Sequence, residues 1–451
     1  MGLRLGRLYR KLAKGHFLVY DNLSGRHAYA CRQFLERSQW FRKSELQKLR
    51  FWRLKALVKH AYRNVPYYHE TFKKAGFRPD DLKSLDDVHR IPVLRKSALR
   101  EQPERLLARN VSKSDLLLWK TSGTTAAPVP LWRGKRDVGW GVGAELRGYA
   151  WAGYEIGDEK AYLWNIKPED ARSFWFRLEN LVRRYKVMDV HRLSESLVKA
   201  FAETLHKHKP SFVRGYASAT NLLAAFLLHN PQYVARCKAV FTTGCRLVPA
   251  YRRNIEDAFG CKVYDYYACT EASHVAAQCG ECEGLHVSEE NVMLEVTRDH
   301  EPVSAGEEGE ILLTNLHGYA MPFIRYDIGD LGRLLPDSCP CGRELSLMKI
   351  VGRTYEYFVN SDGSFTTLRD FETVFEDLPI QEFQVVQETL DDIVIKIVPK
   401  AGYSQHHTDF ILKNIRIRGD ARIRVELVDS LPLEGSGKIR HAVSRVAAWY
   451  T

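Results

Sequence analysis

No stretch of this 451-residue chain approaches about 18 uninterrupted apolar residues, so no helix is expected to cross a membrane. The first residues hold no apolar core followed by a small-residue cleavage site, so no secretory leader is read there. There is no G-x-x-x-x-G-K-S/T phosphate loop, no internal repeat and no low-complexity tract. Without a secretory signal, the nine cysteines read as thiols or metal ligands rather than disulfides. These absences point to a cytoplasmic protein, one held at the inner face of the membrane if its N-terminal segment binds lipid.

Acidic residues are scarce in one region only. Residues 1–60 hold 15 of the 67 basic and 3 of the 55 acidic residues, so the net charge of +12 belongs to this segment and the rest is neutral. Leu5, Leu8, Tyr9 and Leu12 follow helical spacing, with Arg4, Arg7, Arg10, Lys11 and Lys14 between them. Such a stripe either packs on the body and solvates its charges, or gives peripheral membrane contact through residues 1–20, or meets an acidic partner. No nucleic-acid fold signature accompanies the charge, so no nucleic acid is expected. Myristoylation is not expected either, since residue 6 is Gly rather than Ser or Thr.

What is present is ordinary globular composition, 45% hydrophobic and 27% charged. The length is enough for a large core and a smaller domain. Residues 1–100 look mostly helical, and the amphipathic run from Lys55 ends near Asn64, where Pro66 stops it. Over 114–260, apolar runs at Asp115–Lys120, Ala161–Asn165 and Ala239–Thr243 alternate with helical stretches, predicting an α/β sheet with covering helices. Strands are expected at Val292–Val296, Gly309–Thr314 and Asp330–Leu334. Beyond Gly352-Arg353, residues 383–397 and 422–428 read as strands around a helix over 407–416. The expected division is a basic helical segment at 1–60 belonging to the large domain, the rest of that domain at 61–353, and a small α+β domain at 354–451.

Thr121-Ser-Gly-Thr-Thr-Ala-Ala-Pro128 is the strongest local signal. It follows an apolar strand and offers four hydroxyls, a glycine and a run of backbone N–H groups, the donors a phosphate needs at close approach. Alone, it reads equally as a Ser/Thr-rich turn.

Four further stretches distinguish these readings. Thr121–Pro128 resembles the phosphate loop of adenylate-forming enzymes, and Tyr267-Ala-Cys-Thr-Glu271 resembles their Tyr-Gly-x-Thr-Glu element. Arg325-Tyr-Asp-Ile-Gly-Asp330 resembles the segment whose final Asp holds the ribose. Gly352-Arg353 resembles the hinge, and Leu431-Pro-Leu-Glu-Gly-Ser-Gly-Lys438 the loop with the catalytic Lys. The five stand in the family's order with fitting separations. Asn64-Val-Pro-Tyr-Tyr and Ser84–Lys96 look like the N-terminal region of the phenylacetate–CoA ligase-like and capsule-biosynthesis CapK-like branch. The resemblance covers nearly the whole chain.

It implies an α/β adenylate-forming domain of packed sheets and helices with a small mobile C-terminal lid. It also implies ATP-dependent conversion of a carboxylic acid to acyl-AMP, then transfer to CoA as the default acceptor, with a carrier-protein thiol or an amine or hydroxyl of a glycan precursor as alternatives. Both reactants of the first step are anionic, so positive charge and positioning must lower the barrier. Lys438, a compact cation on a flexible loop, would bridge carboxylate and α-phosphate. Glu271 would hold Mg²⁺ beside Thr270. Thr121, Ser122, Gly123, Thr124 and Thr125 would cradle phosphate. Gly244, Tyr267, Asp330 and Arg353 would meet the nucleoside, and Tyr216, Gly215 and His274 the acid. The plain structural alternatives are a solvated Lys438, a capping Glu271, a loop Asp330, a core Tyr267, a hinge ion pair at Arg353 and a satisfied structural His274.

The sequence departs from the pattern at Ala126, Ala127 and Ala268, at Cys245, where Glu is common, and at Tyr355-Glu356, near the hinge's customary acidic pair. If Ala126 needs a left-handed backbone, the strain is roughly 1–2 kcal/mol. These departures leave a second reading, a nucleotide-binding pseudoenzyme or scaffold. Separately, Cys279-Gly-Glu-Cys282 and Cys339-Pro-Cys341 present four thiolates to a structural Zn²⁺, with His286 as a substitute ligand. The alternative is reduced cysteines in two unrelated loops.

Overall fold

The computed structural model describes residues 2–120, 130–164, 166, 173–182, 185–190, 195–353, 357–359, 365–375, 378–415, 417, 421–432 and 439–445. Helices α1 (Gly2–Leu23), α2 (Ala28–Ser38), α3 (Lys43–Asn64), α4 (Pro66–Lys74) and α5 (Lys96–Glu101) open the chain. Pro66 ends one helix and begins the next, because a missing N–H costs nothing at a first helical position.

Helix α1 packs on the body through Ala13, Phe17 and Asp21. The Asp21 carboxylate accepts the Ala28 and Tyr29 backbone N–H groups at 2.8 and 2.9 Å, capping α2. Leu8, Tyr9 and Leu12 stay exposed, so the stripe seen in the sequence is not the face that packs.

Strands β1 (Leu116–Lys120) and β2 (Pro130–Gly134) pair antiparallel on either side of residues 121–129. After α6 (Lys135–Trp151) come β3 (Lys160–Trp164), α7 (Phe174–Val182), β4 (Tyr185–Asp189), α8 (Glu195–His208), β5 (Phe212–Tyr216), α9 (Ala217–His229), β6 (Ala239–Thr243), α10 (Pro249–Phe259) and β7 (Val263–Cys269). Then follow β8 (Ser273–Gln278), β9 (Leu285–Val287), β10 (Val292–Arg298), β11 (Glu301–Pro302), β12 (Gly309–Asn315), β13 (Tyr326–Leu334) and β14 (Leu347–Arg353). These form a 12-stranded sheet in the order β11-β10-β12-β13-β14-β9-β8-β7-β6-β5-β3-β4. From β7 to β4 the pairs are parallel, with helical crossovers that cover the sheet; from β7 to β11 they are antiparallel. The expected strands at 115–120, 161–165, 239–243, 292–296 and 309–314 fall on β1, β3, β6, β10 and β12. The strand expected from Asp330 begins earlier, at Tyr326: Gly329, at φ 74°, lies within an irregular stretch of an ongoing strand rather than before its start.

Beyond β15 (Tyr357–Val359), β16 (Phe365–Thr367) and α11 (Leu368–Phe375), a second sheet runs β19-β18-β17-β20. Its strands are β17 (Ile380–Thr389), β18 (Asp392–Pro399), β19 (Arg422–Leu427) and β20 (Ala442–Ser444), with α12 (Gln405–Asn414) between β18 and β19. Its core gathers Phe358, Phe371, Val385, Ile395 and Ile411, separate from the cores of the large sheet. Tyr251 of α10 donates to Glu382 of β17, joining the two sheets' bodies.

Candidate functional site

Parallel strands end together, and their carboxyl ends leave a crevice. Here Tyr216 and Thr243 end β5 and β6, in register with Tyr266 midway along β7, where the parallel pairing stops. Gly244 follows β6 with φ 80°, a backbone that favours glycine. Gly215 is needed for packing: an added Cβ would come within 2.6 Å of Thr220 Oγ1 and 2.8 Å of Leu163 Cβ. The Tyr216 ring stacks on Trp164 at 4.7 Å. Arg214, ion-paired with Glu145, lies 4.7 Å from the Trp164 ring.

Tyr267 and Asp330 meet directly. The Tyr267 hydroxyl donates to Asp330 Oδ2 at 2.7 Å, and Asp330 is buried on the irregular stretch of β13. Asp330 also pairs in register with Arg353 of β14. At the other end of the same motif, Arg325 has a structural task. It is buried with φ 47°, binds Glu295 at 3.0 Å, and donates to the His89, Ile91 and His300 carbonyls.

Thr270 and Glu271 lie in the turn between β7 and β8, and Glu271 is buried. Two side chains that sequence reasoning missed hold this turn. Arg133 of β2 donates to the Thr270 carbonyl at 3.2 Å and to Ser273 Oγ, and Asn315 donates to the Glu271 carbonyl at 2.9 Å. Both also bind Asp137 of α6, Arg133 through two bonds at 2.6 and 2.7 Å and Asn315 at 3.0 Å. Their only sequence signal was the four-residue spacing of Arg133 and Asp137. Burial, followed by the Glu271 carboxylate, pushes the Tyr326 phenol upward. Ala268, where the pattern has glycine, sits at a bulge in the β7–β8 ladder and takes no left-handed backbone, so it carries no strain of that kind.

His274 is buried against Tyr266, ring centroids 5.4 Å apart. Burial, then Arg147 and Arg214, lower its pKa to about 3, so the imidazole is neutral. Among the described residues, neither His274 Nε2 nor the Tyr266 hydroxyl has a hydrogen-bond partner. Cys245, in the place of the common Glu, accepts the Ser218 N–H at 3.4 Å. Thr121, Ser122, Gly123, Thr124, Thr125, Ala126, Ala127, Tyr355, Glu356 and Lys438 lie outside the described residues, as does the Arg353 side chain. Strand β20, parallel to β17, begins four residues beyond Lys438.

Away from the crevice, ligand atoms of Cys279, Cys282, His286 and Cys339 lie within 4.8 Å of one another. His286 rather than Cys341 completes this group of four. The pairing of β9 with β14 brings it there, while Cys341 Sγ stands 3.4 Å from His286 Nε2. Burial pushes the Cys279 and Cys339 thiols up and lowers the His286 pKa to about 4.

A family model described as the CapK C-terminal domain matches residues 358–445. Phenylacetate-coenzyme A ligase of Escherichia coli is 27% identical over 331 residues, 70% of this chain and 72% of that protein. Protein CapK of Staphylococcus aureus is 22% identical over 415 residues, 89% of each. Among solved structures, 2-hydroxyisobutyryl-CoA ligase in the postadenylation state, in complex with 2-HIB-AMP, gives a TM-score of 0.75 at 22% identity over 92% of both chains. The same ligase in the thioesterification state gives 0.62.

Proposed function

We propose, from homology to phenylacetate–CoA ligases and CapK and from the shared fold of adenylate-forming CoA ligases, that this chain activates a carboxylic acid with ATP and passes the acyl group to CoA. The carrying observation is the Tyr267–Asp330 hydrogen bond beside the ends of β5 and β6. A buried, oriented carboxylate next to an aromatic face is what a nucleoside needs: acceptors for ribose hydroxyls and a surface for the base. In the first step a carboxylate oxygen attacks the α-phosphorus, the bond to the β-phosphate bridge breaks, and pyrophosphate leaves. In the second, the CoA sulfur attacks the acyl carbon, its thiol proton is released, and AMP leaves.

In this reading Thr121–Thr125 hold phosphate, and Lys438 offsets the charge of the reacting oxygens. Gly244 lets the backbone approach the nucleotide, and Arg353 meets ribose or phosphate. Glu271, with Thr270, would hold Mg²⁺, which supplies charge neutralisation at the phosphates. Tyr216, Gly215 and neutral His274 line the acid side. Residues 354–451 act as the lid, hinged at Arg353–Glu356. A carrier-protein thiol is the alternative acceptor. Cys279, Cys282, Cys339 and His286 would hold a structural Zn²⁺. The donor set fits: two buried thiols and the half-buried Cys282 close to a buried histidine, with Cys279 and Cys339 sulfurs 3.4 Å apart, match a closed tetrahedral site.

Acid-dependent ATP–pyrophosphate exchange tests the proposal. Exchange with one acid class, lost in Lys438→Ala and Asp330→Ala, is the expected result. ATP binding by a folded protein without exchange across aryl, fatty and hydroxy acids would favour the pseudoenzyme. Ala268 does not argue for that reading, because it takes no left-handed backbone at its bulge.

A further inference from the structure

Helix α1 has three faces. Arg10, Ala13, Phe17 and Asp21 recur every three to four residues and dock it, with Arg10 bound to Asp158 at 2.6 Å. Next to that face stand Leu8, Leu12, Val19 and Leu23, 57, 59, 59 and 83% exposed. At 3.6 residues per turn these four fall on one line along the helix, flanked by Tyr9 and Tyr20. Lys11 and Lys14 occupy the third face and are exposed. The helix has one acid, Asp21, which is buried and capping α2. Its open surface therefore carries no negative charge.

Helix α7 lies against α1 and repeats the pattern. Phe174, Leu178 and Leu181, spaced four and three residues apart, are 69, 37 and 73% exposed, with Arg177 exposed between them. An apolar face bordered by cations, with the exposed Glu155 held by Arg10 on the docking side of α1, complements an anionic lipid surface, which offers acyl chains and negative headgroups together. Among the described residues, no helix is long and apolar enough to span a bilayer.

We propose that α1, with α7 beside it, docks this protein on an anionic lipid bilayer. The Leu8–Leu12–Val19–Leu23 face enters the boundary between headgroups and acyl chains, and Lys11 and Lys14 meet the lipid charges. This does not rest on the adenylation reading.

The test is flotation of the full chain with phosphatidylcholine vesicles, with and without about one-third phosphatidylglycerol. The chain is expected to float with the anionic vesicles and to remain behind with the neutral ones. Leu8→Ser/Leu12→Ser/Val19→Ser should lower partitioning about ten-fold or more, and Lys11→Glu/Lys14→Glu several-fold. Every substituted side chain is exposed, so unchanged melting curves should accompany these losses. Absence of flotation with anionic vesicles, or equal flotation by the triple Ser variant, would overturn the proposal. So would light scattering that finds a dimer without lipid and a monomer for the triple variant, since a second copy would then cover this face.

Discussion

The Tyr267 hydroxyl donates to Asp330 Oδ2 at 2.7 Å, linking the end of a strand at the parallel half's edge to the antiparallel half. This bond orients the carboxylate proposed to receive the ribose. A hydrogen bond to a charged group contributes about 1.5–3 kcal/mol. Tyr267→Phe keeps the ring and removes the donor, so ATP affinity should fall at least about ten-fold with the melting curve little changed. Calorimetric titration of ATP against both proteins measures it. Unchanged affinity would remove Tyr267 from the orientation of Asp330.

Arg133 is expected to matter more for stability than for contact with substrate. It is buried, paired with buried Asp137, and supports the Thr270 carbonyl. Arg133→Met strands Asp137 without its cation, at a cost of about 3–5 kcal/mol. Arg133→Met/Asp137→Leu should recover part of that stability, and chemical denaturation of the single and double variants tests the coupling. Additive effects would mean that the pair does not act as a unit.

The same pair shows where the sequence stops being informative. Runs such as Ala239–Thr243 announce β6 because a parallel strand covered on both faces buries every side chain and so carries no charge and few polar groups. Tyr267 and Asp330 were legible as members of an ordered set of motifs. Arg133 and Asp137 were not, because Arg and Asp four residues apart read equally as a solvated helix pair. Their third partner, Asn315, lies 178 residues beyond Asp137. Helix α1 gives a similar lesson. Periodicity displayed an apolar stripe, but the shape of the body decides which face docks, and it selects Ala13, Phe17 and Asp21.

Metal analysis separates the two ways of choosing the fourth ligand near Cys339. The expected content is about one zinc per chain. Cys339→Ser should lose it and melt at lower temperature, and chelation of the wild type should give a similar fall. If His286 completes the set, Cys341→Ser keeps most of the zinc and His286→Ala does not. The reverse pattern would return the site to four cysteines, and a metal-free protein as stable as before would make these thiols ordinary reduced cysteines.

Glu382 links the two bodies to pH. It is buried, accepts the Tyr251 hydroxyl, and burial raises its pKa from 4.5 to about 7 against the opposing effects of Tyr251, Asn221 and Lys400. Between about pH 4.5 and 7 the folded chain holds a proton here that the unfolded chain has released. Stability from this group is therefore full below the lower value, falls as pH rises, and levels off above the upper one. The total is at most about 3 kcal/mol. Glu382→Gln cannot lose a proton, so the difference in unfolding free energy between wild type and variant should shift in the variant's favour across this window. Denaturation at several pH values measures it. A flat difference would mean that Glu382 stays ionised at the contact, with Tyr251 holding a charged partner in place.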